Sequence, residues 1–314
     1  LSLGKIDTFR FEEKALLGGG DKLLEQGYPD EALKISRERA QSFWTSVQRH
    51  PARHAAWRSC ETLARLQSMI SSIKGEASST KEDPKAWVKA YTAPEGWHLA
   101  DKLFREARYT MTQQSDDELS KAPAKILAQY DELIDSMTTG FTKAHAAKAW
   151  QVDGPLQQTE VFSKKVRSHQ GPVAYLMVDA LRFEMGMSLL ELLRAAGAED
   201  AHIDHAVASV PTITDVGMVA LLPGAERSFS LAEGKRAVVG CIDGRATESS
   251  SARMDHAKAK IPGLMEMTMD HLLYEVAPKE LKQAAQAPVL IVRSQEIDGS
   301  GESLPSGVAR KVMG

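Results

Sequence analysis

The sequence predicts an α/β protein in two parts: an α-helical region over residues 1–165, then a mostly parallel sheet with crossover helices over residues 166–314. Three observations carry this prediction. Apolar residues in the first half recur at three- and four-residue steps, the period of a helix face. After Gly154-Pro155, short continuous apolar runs alternate with longer helix-like segments, the pattern of parallel strands joined by crossover helices. All five tryptophans (Trp44, Trp57, Trp87, Trp97 and Trp150) fall in the first half, so two different architectures share the chain. At roughly 150 residues per domain, 314 residues accommodate both parts.

The elements follow in order. Ala32, Leu33, Ser36, Ala40, Phe43, Trp44 and Val47 mark one helix face. Trp57, Cys60, Leu63, Ala64, Gln67, Ile70 and Ile73 mark a second after a break at Pro51, giving a helical hairpin. Residues 75–84 carry Ser, Thr, Lys and Glu without period and read as a loop. Further helices follow over 85–90, 97–111 and 122–137, with breaks at Pro94-Glu95-Gly96 and Ser115-Asp116-Asp117. In the second part, residues 172–178, 206–210, 236–242 and 288–292 read as strands. Residues 181–196 read as a helix with Met185, Leu189, Leu192, Leu193 and Ala196 on its apolar face and Gly197 as its stop. His50, His54, His98 and His145 share no metal spacing and read as surface residues, the tryptophans as packing anchors, and Met185, Met187, Met265, Met267 and Met269 as core filling.

Composition excludes several classes of function. The chain is 43% hydrophobic and 26% charged, and Lys+Arg 39 against Asp+Glu 42 leaves a formal charge of −3, so nucleic acid could be met only through a local basic patch. Cys60 and Cys241 have no CxxC or CxH companion, which argues against a disulfide framework and a structural zinc site and fits a reducing, cytoplasmic compartment. The longest apolar stretches, 173–178 and 216–222, fall far short of the ~20 residues of a membrane span, so no membrane partner is expected. The start at Leu1, without an initiator methionine or signal core, and the polar end at Gly314 read as an excised piece of a longer protein.

In a parallel sheet, ligands bind beyond the C-terminal ends of the strands, so the polar residues that close the apolar runs are the candidates. The first run closes on Asp179, an oxygen ligand suited to a divalent metal and equally a helix N-cap. The second leads into Val210-Pro211-Thr212-Ile213-Thr214 and a short helical run stopped by Pro223-Gly224. A threonine at a helix start sits where unpaired N–H groups favour negative charge, and a bound cation would activate its hydroxyl; a plain cap accounts for either threonine as well. The third closes on Ser294-Gln295-Glu296-Ile297-Asp298-Gly299-Ser300-Gly301-Glu302, where acidic residues and two glycines suit either an ion-binding loop or a solvated turn.

Together these strand ends resemble a known family. Val178-Asp179-Ala180-Leu181-Arg182-Phe183-Glu184-Met185, Val210-Pro211-Thr212-Ile213-Thr214 with Leu221-Leu222-Pro223-Gly224, and Arg293-Ser294-Gln295-Glu296-Ile297-Asp298 make residues 172–302 similar to a PglZ domain. PglZ is a branch of the alkaline phosphatase superfamily found in BREX phage-defence systems and in some response regulators. The resemblance implies an alkaline-phosphatase-like sheet, incomplete on its C-terminal side, with residues 166–314 as the N-terminal part of that domain. It also implies Asp179 as a metal ligand and Thr214, rather than Thr212, as the metal-bridging catalytic nucleophile. Asp298 is implied as a ligand of a second ion, with Glu302 standing where the related pattern has a histidine. Two divalent ions, zinc or manganese, are the implied cofactors of the intact protein.

The superfamily's later Asp-His pair has no counterpart after Asp298. Asp255-His256 and Asp270-His271 precede it in helix-like surroundings and read as ordinary residues. The interval holding Arg227, Lys235, Arg236, Arg245, Arg253, Lys258 and Lys260 would form a basic insertion over the site, attracting DNA or RNA through backbone phosphates. Glu226, Glu233, Asp243, Glu248 and Asp255 interleave it, so a solvated face is the competing reading. The implied function is metal-dependent phosphoester hydrolysis by a phosphodiesterase or nuclease acting with other BREX proteins in phage defence. The alternative is a non-catalytic or weakly catalytic assembly module that recruits other defence proteins. A phosphomutase or sulfatase shares the metal chemistry and is the third reading.

Overall fold

Helical periodicity in the first part of the chain becomes helices α1 (Arg10–Gln26), α2 (Pro29–Arg39), α3 (Pro51–Ala77), α4 (Pro84–Thr92), α5 (His98–Met111) and α6 (Ala122–Ala147). The structure is a computed structural model and describes residues 10–303 apart from 81, 114–120, 235–236 and 248. Helix α3 is the axis of this unit. Pro51 opens it at the first helical position, where a missing N–H costs nothing. Its expected face, Trp57, Cys60, Leu63, Ala64, Gln67, Ile70 and Ile73, is buried against the neighbouring helices. Helix α1 went unread in the sequence because Gly18-Gly19-Gly20 argues against a helix. Tertiary packing overrides that propensity: a Cβ on Gly20 would stand 3.1 Å from Cys60 Sγ, so the glycine lets α1 approach α3 closely.

Other expectations for this half are corrected. Helix α2 ends at Arg39 and a 3-10 turn spans Phe43–Thr45, leaving Phe43 and Val47 exposed. His98 and His145 are buried. The His98 Nε2 donates to the Ala93 carbonyl at 3.1 Å, and the His145 ring packs against Phe141 and Trp150. Trp57, Trp87 and Trp97 are core anchors as expected, whereas Trp150 is half exposed. A buried polar cluster joins three elements: Arg39 Nη2 donates to Glu13 Oε1 and to Ser42 Oγ, and Trp57 Nε1 donates to Glu13 Oε2 at 2.8 Å.

The second part holds β1 (Leu156–Gln157), β2 (Val173–Val178), α7 (Phe183–Ala195), β3 (Ala206–Val207), α8 (Thr214–Ala220), α9 (Ala225–Ser228), β4 (Ser230–Glu233), β5 (Val238–Ile242), β6 (Arg245–Ala246), α10 (Ser250–Lys260), β7 (Met265–Thr268), α11 (Pro278–Ala284), β8 (Val289–Ser294) and α12 (Glu296–Ser303). Two compact units result. Among the described residues, one is 10–151 with Phe183–Leu192; the other is Val152–Arg182 with Leu193–Ser303. The α/β expectation holds: there is a parallel sheet in the order β2-β8-β7 and, as a separate sheet, a parallel β1-β3 pair. Register sets Val178 beside Ser294, so β2 and β8 end together.

Several elements differ from the sequence reading. The 236–242 run does not join the parallel sheet. It is β5, the centre of an antiparallel β4-β5-β6 sheet, because Asp243-Gly244, both with positive φ, form a tight hairpin turn into β6. Strand β7 lies where helix-like surroundings were expected for 267–274; its Met-Glu-Met-Thr is too short to show its period and pairs because β8 offers an open edge. Asp270-His271 nevertheless lies in a helical turn, a π-helix over His271–Glu275 that follows β7, and Asp255-His256 lies in α10, so both pairs keep their expected helical surroundings. Leu189, Leu192 and Leu193 of α7 are exposed, not core, and the buried residues of that helix are Glu184 and Leu190. Cys60 and Cys241 are both free and buried, and burial pushes the Cys60 thiol up to about 11. Among the described residues, no helix is long and apolar enough to cross a membrane.

Candidate active site at the strand ends

Asp179 is the first residue beyond β2. Its N–H donates to the Ser294 carbonyl at 2.9 Å, one step past the ladder, which ties the two strand ends together. The chain then turns sharply: Ala180 has φ 59°, a left-handed conformation that non-glycine residues seldom adopt, and its N–H donates to Asp179 Oδ1 at 3.0 Å. Asp179 is 8% exposed. Burial, and then the charge of Asp298, raise its carboxyl above the ordinary aspartate value; the Ala180 N–H, Thr214 and Arg253 act in the opposite direction.

Thr214 is the first residue of α8, with Ile213 as the cap in extended conformation. Its Oγ1 lies 3.4 Å from Asp179 Oδ2, a long hydrogen bond from hydroxyl to carboxylate. Thr212 is exposed and makes no such approach among the described contacts. Of the two threonines, Thr214 is the one with a described contact to Asp179. Both Asp179 and Thr214 line a small open cleft, together with Met177, Met218, Ser250, Arg253, Met254, Arg293, Ser294 and Gln295.

The third strand end departs from expectation. Residues 296–303 form α12 directly after β8, not an open loop, and Gly299 N–H donates to the Gln295 carbonyl at 2.8 Å. Asp298 is half-buried in this helix, close enough for its charge to act on Asp179, yet it is not among the residues lining the cleft. Glu302 belongs to the same helix, and its side chain lies outside the described residues.

The fold brings two arginines to this place that sequence reasoning did not assign to the site, Arg253 having been read only as part of a basic insertion. Arg253, from α10, is buried and reaches Asp215 Oδ1 and the Thr247 carbonyl, each 3.5 Å from Nη1. Arg293, from β8, donates through Nη1 to Ser250 Oγ at 2.5 Å, while its buried Nε has no hydrogen-bond partner among the described residues. A weak signal existed for Arg293, which belongs to the quoted Arg293-Ser294-Gln295 stretch. Arg253 was hidden among other basic residues.

The expected basic insertion is not a continuous patch. Arg227 pairs with Glu226, Lys258 with Glu266 and Lys260 with Asp243; Arg245 is exposed, and Lys235 and Arg236 lie outside the described residues. His256 donates from Nε2 to the Pro223 carbonyl at 2.9 Å, a packing role. His271 sits between Glu280 and Glu275, at 3.0 and 3.4 Å.

With this geometry in view, the comparison with known families is decisive for the second unit: residues 159–307 match the model of the BREX system PglZ alkaline phosphatase-like domain. This stretch is a PglZ domain. The matched stretch contains all three strand ends and every cleft residue named above. No curated protein and no solved structure matches the chain.

The residues present fit a divalent cation at the donor level. Burial first, and then the charge of Asp298, disfavour the Asp179 carboxylate, which a cation would stabilise, and the Thr214 hydroxyl beside it adds a further hard oxygen. Among the described residues, no group of three or more His, Cys, Asp or Glu gathers into a closed ligand set.

Proposed function

We propose that the PglZ domain is a metal-dependent phosphoester hydrolase, a phosphodiesterase or nuclease acting in BREX-type phage defence, with Thr214 as its nucleophile. The observation that carries this reading is the approach of Thr214 Oγ1 to Asp179 Oδ2 within a cleft that also holds two arginines. Thr214 attacks phosphorus through Oγ1, the bond to the leaving alkoxide breaks, and water later cleaves the phosphothreonine. Asp179 Oδ2 accepts the hydroxyl hydrogen, which turns an oxygen lone pair of Thr214 toward the cleft. Asp179, Thr214 and Asp298 would hold divalent ions, zinc or manganese, with Glu302 a further candidate. Such ions supply charge stabilisation for the attacking and leaving oxygens. Residues 1–165 act in this reading as a helical region before the N-terminal part of the alkaline-phosphatase-like domain, and the setting is the cytoplasm.

The test is hydrolysis of bis-p-nitrophenyl phosphate by the full chain with zinc or manganese supplied. Thr214→Ala should abolish turnover, and unchanged turnover eliminates the assignment.

A second reading, an assembly module with little or no catalysis, is favoured by one observation: Leu189, Leu192 and Leu193 leave an apolar face of α7 exposed. Stoichiometric metal in the chain, lost in Asp179→Ala, counts against this reading. Loss of BREX-protein capture in a Leu192→Ser variant that keeps its metal counts for it.

A further inference from the structure

We propose that Arg253 and Arg293 form a two-guanidinium subsite that grips the non-bridging oxygens of one discrete phosphate ester group. The cleft then recognises a phosphoryl group locally and does not track a nucleic-acid backbone. The inference deepens the hydrolase reading by naming what the cleft holds, and it rests on that reading for the identity of the ester.

Three features carry it. First, both arginines line the cleft that contains Asp179 and Thr214, one from α10 and one from the end of β8, so they reach it from different elements. Second, each is tethered but not used up. Among the described residues, the contacts of Arg253 leave from Nη1 alone, at 3.5 Å to Asp215 and to Thr247, which is long for a charge-assisted bond. Arg293 is fixed through Nη1 to Ser250 Oγ and retains a buried Nε with no partner. A buried donor without an acceptor, on a residue lining a cleft, is what an absent anionic ligand leaves behind. The planar guanidinium offers paired N–H groups that match the oxygens of a phosphate, and two such planes can hold one phosphoryl group from two sides.

Third, three other cations of this domain are already paired. Arg227, Lys258 and Lys260 each meet a carboxylate, at 3.1, 3.8 and 2.7 Å. A protein that follows a nucleic-acid backbone needs a stripe of uncompensated cations, and affinity then falls steeply with salt. The cations that line the cleft itself are Arg253, buried, and Arg293, half-buried, which predicts recognition of a single group with shallow salt dependence.

The experiment is calorimetric titration of inorganic phosphate into the full chain after chelator treatment, so that the readout depends neither on metal nor on turnover. Phosphate is expected to bind, and Arg253→Met and Arg293→Gln are each expected to weaken binding by about tenfold or more, the scale of one lost charge-assisted contact. Lys260→Ala, which removes a cation already paired with Asp243, should bind like the parent. Circular dichroism accompanies each variant; if Arg253→Met loses its fold, Arg293→Gln alone decides. No phosphate binding by the parent overturns the proposal, as does undiminished binding by either folded arginine variant. Binding of a single-stranded oligonucleotide that phosphate fails to displace also overturns it. Phosphate binding that depends on both arginines in a chain whose hydrolysis survives Thr214→Ala would uphold the subsite while sinking the nucleophile assignment, so the two failures are distinguishable.

Discussion

Thr214 Oγ1 stands 3.4 Å from Asp179 Oδ2 across a sequence separation of 35 residues. The first is carried by a helix start and the second by a strand end, so their meeting depends on how α8 is held near the sheet.

Replacing Asp179 by asparagine keeps the shape of the side chain and removes its charge. If Asp179 holds a divalent ion, Asp179→Asn should lose bound manganese or zinc in plasma mass spectrometry. Hydrolysis of bis-p-nitrophenyl phosphate should fall by about two orders of magnitude. Full metal content in this variant would remove Asp179 from the ligand set.

Gly240 lies in the middle of β5, where an added Cβ would stand 2.7 Å from Val219 Cβ on α8. Gly240→Ala should therefore overpack this contact, cost about 1–3 kcal/mol in urea denaturation, and push α8 away from its place. Because Thr214 opens that helix, turnover in the folded fraction should drop as well. A variant with unaltered melting temperature would show that β5 and α8 pack more loosely than described.

The Glu13–Arg39 pair is buried in the helical unit, with Ser42 and Trp57 completing its hydrogen bonds. Arg39→Met alone leaves the Glu13 carboxylate buried without its counter-charge and should destabilise the chain by about 3–5 kcal/mol. Adding Glu13→Leu should recover much of that loss. A single variant as stable as the parent in denaturant titration would contradict burial of the pair.

His271 lies between Glu280 and Glu275, and their hydrogen bonds, Glu280 first, raise its pKa above the ordinary histidine value. The folded state therefore favours the protonated ring. The contribution is fully present below the ordinary value and is lost as pH rises through the higher folded value. NMR titration of the ring should give a raised midpoint, and Glu280→Gln should lower it. An unshifted midpoint in the parent would count against the contact.

How much of this was legible depended on whether a signal was local. The α3 face was readable because Trp57, Cys60, Leu63 and Ile70 repeat at the period of the helix they form, and burial follows that period. Helix α1 was not, since its three glycines oppose a helix locally and only the close approach of Gly20 to Cys60 accounts for them. The 236–242 run announced a strand correctly, but its partners were set by the Asp243-Gly244 turn, which redirects the chain into an antiparallel hairpin. At the site, Asp179 was visible as the polar residue closing an apolar run. Arg253 was invisible because nothing in 225–260 distinguishes it from Arg227 or Lys260 except which face of α10 turns inward.

The sequence by itself determined the α/β class, the helical first half and the strand-end position of Asp179, because hydrophobic periodicity and apolar runs encode which residues must leave water. Tertiary structure brought Thr214 within reach of Asp179, turned the 296–303 stretch into a helix, and selected Arg253 and Arg293 from among many cations to line the same cleft as Asp179. These choices depend on the register of β2 against β8 and on the packing of α8 and α10. Such contacts join residues distant in sequence, and no local pattern specifies them.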